Sequence, residues 1–94
     1  MKFLNSVIED IYNGVDSRKA RALVPSELHE KAARLLDRLA AAHEVRDLSA
    51  PGLRLEKLSG KRDGQYSLRV NDQYRVCFRW VHGEAVDVEI TDYH

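Results

Sequence analysis

Residues 64–81, GQYSLRVNDQYRVCFRWV, restrict what this chain can fold into more than any other stretch. Tyr66, Leu68 and Val70 alternate with Ser67, Arg69 and Asn71, and Tyr74, Val76, Phe78 and Trp80 alternate with Arg75, Cys77 and Arg79. Period-2 alternation on both sides of a polar break predicts a β-hairpin. The pattern also sets the loop. A two-residue turn at Asn71 and Asp72 would put Arg69 against Tyr74 and mix the faces. A three-residue loop of Asn71, Asp72 and Gln73 pairs Val70 with Tyr74, Leu68 with Val76 and Tyr66 with Phe78, and keeps one face apolar. That register sets Arg69 opposite Arg75 on the other face, where like charges directly across strands are unfavourable. Such a face suits an anion. The alternative is a solvated face whose arginines take local acidic partners.

Charge sharpens the choice only in part. The chain has 94 residues, enough for one domain with one modest core, and 15 basic residues balance 15 acidic ones. A neutral chain is not a general nucleic-acid binder. The distribution is uneven, however. Residues 53–79 carry seven basic residues against three acidic, and residues 84–94 carry Glu84, Asp87, Glu89 and Asp92 with no Lys or Arg. This layout fits either internal pairing or a local phosphate site on a neutral protein. The single cysteine, Cys77, excludes an intramolecular disulfide and a cysteine metal cluster. No apolar run is long enough to span a membrane and no signal peptide is visible, so a cytoplasmic location is expected.

Along the chain, Met1–Leu4 fits a short edge strand. Leu4, Val7, Ile8, Ile11 and Tyr12 fall on one face of a short helix that Gly14 stops. Asp16 is a candidate cap for a further helical turn before Val24. A longer helix is predicted from about Glu27 to Ala42, with Ser26 as N-cap and Leu28, Ala32, Leu35, Leu36 and Leu39 as its apolar stripe. Leu53–Leu58 reads as a strand with Leu53 and Leu55 inward and Arg54 and Glu56 outward. SGKRDG (residues 59–64) is turn chemistry. Gly83 ends the hairpin, and Val86, Val88 and Ile90 give a last strand with these residues inward. Helices first and closely spaced strands after predict an α+β fold: N-terminal helices on one face of an antiparallel sheet, the other face open.

The histidines His29, His43 and His82 have no metal-ligand spacing, and no phosphate loop or nucleophile motif is present. The end of the chain is different. Thr91, Asp92, Tyr93 and His94 follow an apolar strand directly, so one short tail supplies a carboxylate, a phenol and an imidazole. A frayed terminus is the plain alternative. Beside Arg69 and Arg75, with Lys57 arriving from the preceding strand, the tail is a candidate phosphodiester site. RNA cleavage without a metal needs a group to deprotonate the 2′-OH, a group to protonate the leaving 5′-oxygen, and fixed cations for the phosphorane charge.

LEKLSGKRDGQYSLRVNDQYRVCFRW (Leu55–Trp80) and VEITDYH (Val88–His94) resemble HigB-type toxins of the RelE/ParE superfamily, in wording nearest the branch that includes GraT. The likeness is dense over residues 53–94. It implies one RelE-like domain over residues 1–94 and a ribosome-dependent mRNA endonuclease that uses no metal or other cofactor. It also implies a helix-turn-helix antitoxin of the HigA type that neutralises the toxin and links it, only indirectly, to operator DNA. Carried over by position, Arg75, Asp92, Tyr93 and His94 are the implied catalytic residues; Lys57 and Arg69, near the family's basic positions, and Lys61 and Arg62 are the candidate RNA-phosphate contacts. The chain departs from the better-studied branch at Glu56, Ser59 and Asn71, which stand where that branch has a histidine, a lysine and an arginine. Two alternatives share the fold: a ParE-like inhibitor of DNA gyrase, and a weakly active toxin kept as co-repressor.

Overall fold

The computed structural model describes residues 1–92. Helix α1 (Ser6–Tyr12) starts at Asn5, whose Oδ1 accepts from the Val7 and Ile8 amides, and buries Ile8 and Ile11. It ends where Gly14 turns to a φ of 73°. Helix α2 (Arg18–Leu23) is capped by Ser17 rather than Asp16: Ser17 Oγ accepts from the Ala20 amide, while Asp16 pairs with Arg21. A hydroxyl one residue nearer the helix reaches the third amide directly.

Helix α3 (His29–Ala41) buries Ala32, Leu35, Leu36 and Leu39, the expected stripe, with Leu28 half-buried at its start. Its N-terminus differs from expectation. Ser26 caps nothing but opens a 3₁₀ turn, Ser26–Leu28, that leads into α3. His29 Nε2 donates to the Ala20 and Val24 carbonyls and so ties the end of α2 to the start of α3.

The sheet is an antiparallel meander, β1 (Glu56–Lys57), β2 (Tyr66–Arg69), β3 (Tyr74–Val81) and β4 (Glu84–Asp92), in that spatial order. The β2–β3 register is the one the alternation demands: Tyr66 faces Phe78, Leu68 faces Val76 and Arg69 faces Arg75. Asn71 makes the loop, its Oδ1 accepting from the Gln73 and Tyr74 amides. Residues 2–4 lie beside β4, with a parallel bridge from Phe3 to Val88. Leu68, Val70, Val76, Phe78, Val88 and Ile90 pack against the helices as one core.

Three expectations are corrected. The strand over Leu53–Leu58 shrinks to two residues. Pro51–Leu53 forms a 3₁₀ turn and Arg54 adopts the left-handed conformation (φ 51°, ψ 47°), which breaks the extension. Val86 does not join the core; Ala85 takes that place, opposite Trp80. Cys77 pairs with Glu89 and Arg79 with Val86, so β4 holds one extra residue between them, and Asp87 sits there at φ 50°. This bulge reverses the facing of everything before it in the strand. Finally, the face away from the helices is not open. Ser67 and Cys77 are fully buried on it. Segment 58–65 lies over it, with Arg62 reaching Glu89 and Arg79 reaching the Asp63 carbonyl.

Candidate functional site

Two cross-strand rows build the outer face. One runs Glu56, Ser67, Cys77, Glu89; the other, nearer the β2–β3 loop, runs Arg69, Arg75, Thr91. Residues paired across antiparallel strands share a face, so these side chains converge whatever their sequence separation. Arg75 is the centre. Its Nε donates to Ser67 Oγ at 2.7 Å and its Nη2 to the Arg54 carbonyl at 2.6 Å. The Glu56 carboxylate stands 3.8 Å from the same Nη2. The Arg75 side chain is 11 % exposed and that of Glu56 56 %, so a sheltered, fixed cation lies beside an accessible carboxylate.

The other cations differ. Arg69 pairs with Asp72 in the adjoining loop, the local acidic partner that a solvated face would supply. Arg62 bonds Gln65 Oε1 at 3.0 Å and Glu89 Oε1 at 3.3 Å. Arg79 stands 3.8 Å from Asp87. The uneven charge of residues 53–79 and 84–94 is thus partly met by pairing between the two segments. Lys61 is exposed in the 3₁₀ turn Gly60–Arg62.

Lys57 is exposed but is not brought to Arg75. Its partner is Tyr66, on the helix-facing side, and the period of the strand puts Glu56 on the outer face instead. Asp92 stands opposite Tyr74 at the end of β4 and accepts from Gln73 Nε2 at 2.9 Å. Tyr93 and His94 lie outside the described residues.

Two anchors of Arg75 escaped the sequence reading. Ser67 was within reach, since the hairpin register already sets it diagonal to Arg75. The Arg54 carbonyl is not, because a backbone oxygen carries no residue signature and the alternation over Leu53–Leu58 predicts strand where the left-handed turn stands. A recess of about 530 Å³ also opens on the helical side, between Tyr12, Val15, Asp16, His29 and Glu30. None of the described candidate residues lines it. Surface cations rather than deep recesses suit a polyanion, so the outer face of the sheet around Arg75, partly covered as it is, remains the candidate. Among the described residues no cluster of His, Cys, Asp or Glu has the makings of a metal site.

Comparison with known proteins places the whole chain. Residues 1–94 match the model of a RelE-like toxin of type II toxin–antitoxin systems, HigB. The chain belongs to the HigB-like toxin family. It is 38 % identical over 88 residues to Toxin HigB-1 of Vibrio cholerae serotype O1, covering 93 % of this chain and 90 % of that one. It is 34 % identical over 64 residues to Endoribonuclease HigB of Proteus vulgaris, 65 % of this chain and 70 % of the relative. Among solved structures, the YoeB–YefM complex from Staphylococcus aureus superposes with a TM-score of 0.63 at 19 % identity, over 99 % of this chain and 93 % of that one. That last likeness establishes the fold, helices on a four-stranded antiparallel sheet. As a HigB-like toxin the protein is one half of a toxin–antitoxin pair. The family match reaches the N-terminal helices, well beyond the residues 53–94 over which the motifs are dense. No helix among the described residues is long and apolar enough to cross a membrane.

Proposed function

We propose that this HigB-like toxin is an endoribonuclease whose site is the outer sheet face around Arg75. The observation that carries the reading is the pairing of Arg75 with Glu56: a sheltered guanidinium held on two sides, with an exposed carboxylate 3.8 Å away. The Proteus relative's name supports it. Cleavage of RNA at a 2′-OH needs a proton acceptor, a proton donor and a cation. Arg75 holds the scissile phosphate and the charge that builds on it. Glu56 is placed to take the 2′-OH proton as the oxygen attacks phosphorus. His94, two residues beyond Asp92, protonates the departing 5′-oxygen, leaving a 2′,3′-cyclic phosphate on the upstream product. Tyr93 stacks on a base or assists proton transfer, and Asp92 orients the tail. Lys61, Arg62 and Arg69 contact flanking phosphates, and Lys57, on the helix-facing side of the edge strand β1, meets only a phosphate that passes round that edge.

The substrate in this reading is mRNA on the ribosome, and the partner a helix-turn-helix antitoxin of the HigA kind, which carries the operator contacts. Arg69 and Arg75 already have acidic neighbours in Asp72 and Glu56. An acidic antitoxin segment therefore gains little by covering them, and the antitoxin acts by keeping the toxin off the ribosome. A structure of the complex with Arg75 buried by the antitoxin would contradict this.

The test of the chemistry is the single-turnover rate of cutting a ribosome-bound message, compared with the same RNA free in solution. Glu56→Gln and deletion of His94 are each expected to slow cutting by about 10²- to 10⁴-fold, the usual worth of a positioned acid or base. A folded Glu56→Gln protein cutting at the parental rate would move the proton acceptor elsewhere. Equal cutting of free RNA would remove the ribosome from the mechanism.

A further inference from the structure

Ser67 is the polar residue at zero exposure among the described core positions. A buried hydroxyl in a small domain is retained at a cost unless it is bonded. Ser67 Oγ accepts from Arg75 Nε at 2.7 Å, across the β2–β3 pair. The second anchor, the Arg54 carbonyl, accepts from Nη2 at 2.6 Å. Arg54 presents that oxygen from a left-handed backbone conformation, φ 51° and ψ 47°. A non-glycine residue holds such a conformation only at a cost in backbone strain. A guanidinium is planar, so a bond at Nε and another at Nη2, from two different elements, fix both the direction and the plane of the group. One of the two elements is the central hairpin and the other the turn leading into β1.

We infer that Ser67 and the Arg54 carbonyl form a clamp that sets the Arg75 guanidinium in the plane needed to meet the phosphorane, which makes Ser67 a positioning residue for cleavage. The inference rests on the reading of Arg75 as the phosphate-holding cation. Electrostatic stabilisation is effective when the charge is aimed before the reaction, so that no reorganisation is spent in the transition state. Without Ser67 Oγ the guanidinium keeps its charge and its bond to the Arg54 carbonyl but loses the bond that fixes its Nε edge. Displacement of a catalytic group by roughly 1 Å costs on the order of 10²-fold in rate. Loss of the Nε anchor belongs at or below that figure.

The experiment is a double-mutant cycle on the full-length toxin, read as single-turnover cutting of a ribosome-bound message alongside the thermal midpoint. Ser67→Ala is expected to cut about 10- to 100-fold more slowly while remaining folded. In an Arg75→Ala background the same Ser67→Ala change should alter the rate by less than about 2-fold, because the group it positions is gone. Ser67→Cys, which keeps a weaker acceptor, should recover part of the loss. If Arg75→Ala cuts at the parental rate, the underlying reading of Arg75 fails. If Arg75→Ala is inactive but folded Ser67→Ala is not slowed, Arg75 stands and the clamp is overturned. An equal effect of Ser67→Ala in both backgrounds, or its failure to fold, makes Ser67 a residue of the sheet alone and also overturns the clamp.

Discussion

Cys77 shares the outer face with Arg75 yet does no chemistry there. It is fully buried, and burial pushes its thiol above the usual value of 9.0 despite Arg62 and Arg75 nearby, whose charges act the other way. Native protein should therefore react with iodoacetamide far more slowly than urea-unfolded protein; comparable rates would show that segment 58–65 does not cover the face. Asp47 is a contrasting case at the surface. The His43 and Glu44 amides donate to its carboxylate and hold it below its ordinary 3.8. A carboxyl depressed on folding means that the unfolded chain binds protons first. Its stabilisation is present above about pH 4 and is lost as the pH falls through the folded value. The difference in urea midpoint between the parent and Asp47→Asn should shrink as the pH drops below 3.8. A difference that grows on acidification would reverse the sign of this contribution.

At the scale of elements, the β2–β3 hairpin was legible and β4 was not, for the same physical reason. A hairpin loop and seven alternating apolar side chains over-determine a register, because a slip of one residue exposes every apolar group at once. The β4 bulge hides in an unbroken pattern. Val86, Val88 and Ile90 alternate correctly on paper, yet the extra residue at Asp87 turns Val86 away and brings the small Ala85 inward. Lys57 was misplaced by proximity in sequence, although the parity of its strand already pointed Glu56 to the outer face. The bulge is itself testable. Asp87 is at φ 50°, and its ion pair with Arg79 spans 3.8 Å between exposed groups, which is worth little. Asp87→Gly is thus expected to match or exceed the parental stability, whereas Asp87→Val, branched at Cβ, should lose about 1–2 kcal/mol. Chemical denaturation measures both; equal stability of the Gly and Val variants would mean that the left-handed residue is not there.

The whole molecule assigns different duties to the two faces of one sheet. The inner face, with Phe78 at zero exposure in the core shared with the helices, holds the fold. Phe78→Ala should cost roughly 3–5 kcal/mol, close to the entire stability of a domain of this size, and a melt showing less than about 1 kcal/mol would contradict that packing. The outer face carries Arg75, Glu56 and Arg69. Its substitutions should change RNA cutting without unfolding the chain. That separation is tested most directly by mapping mRNA 5′ ends in cells after induction of the parent and of Arg75→Ala, with both proteins shown to be folded. New 5′ ends within reading frames are expected for the parent and should be absent for Arg75→Ala. Persistence of the same ends with Arg75→Ala, or intact messages alongside blocked DNA supercoiling for the parent, would contradict an RNA-cutting site built on this face.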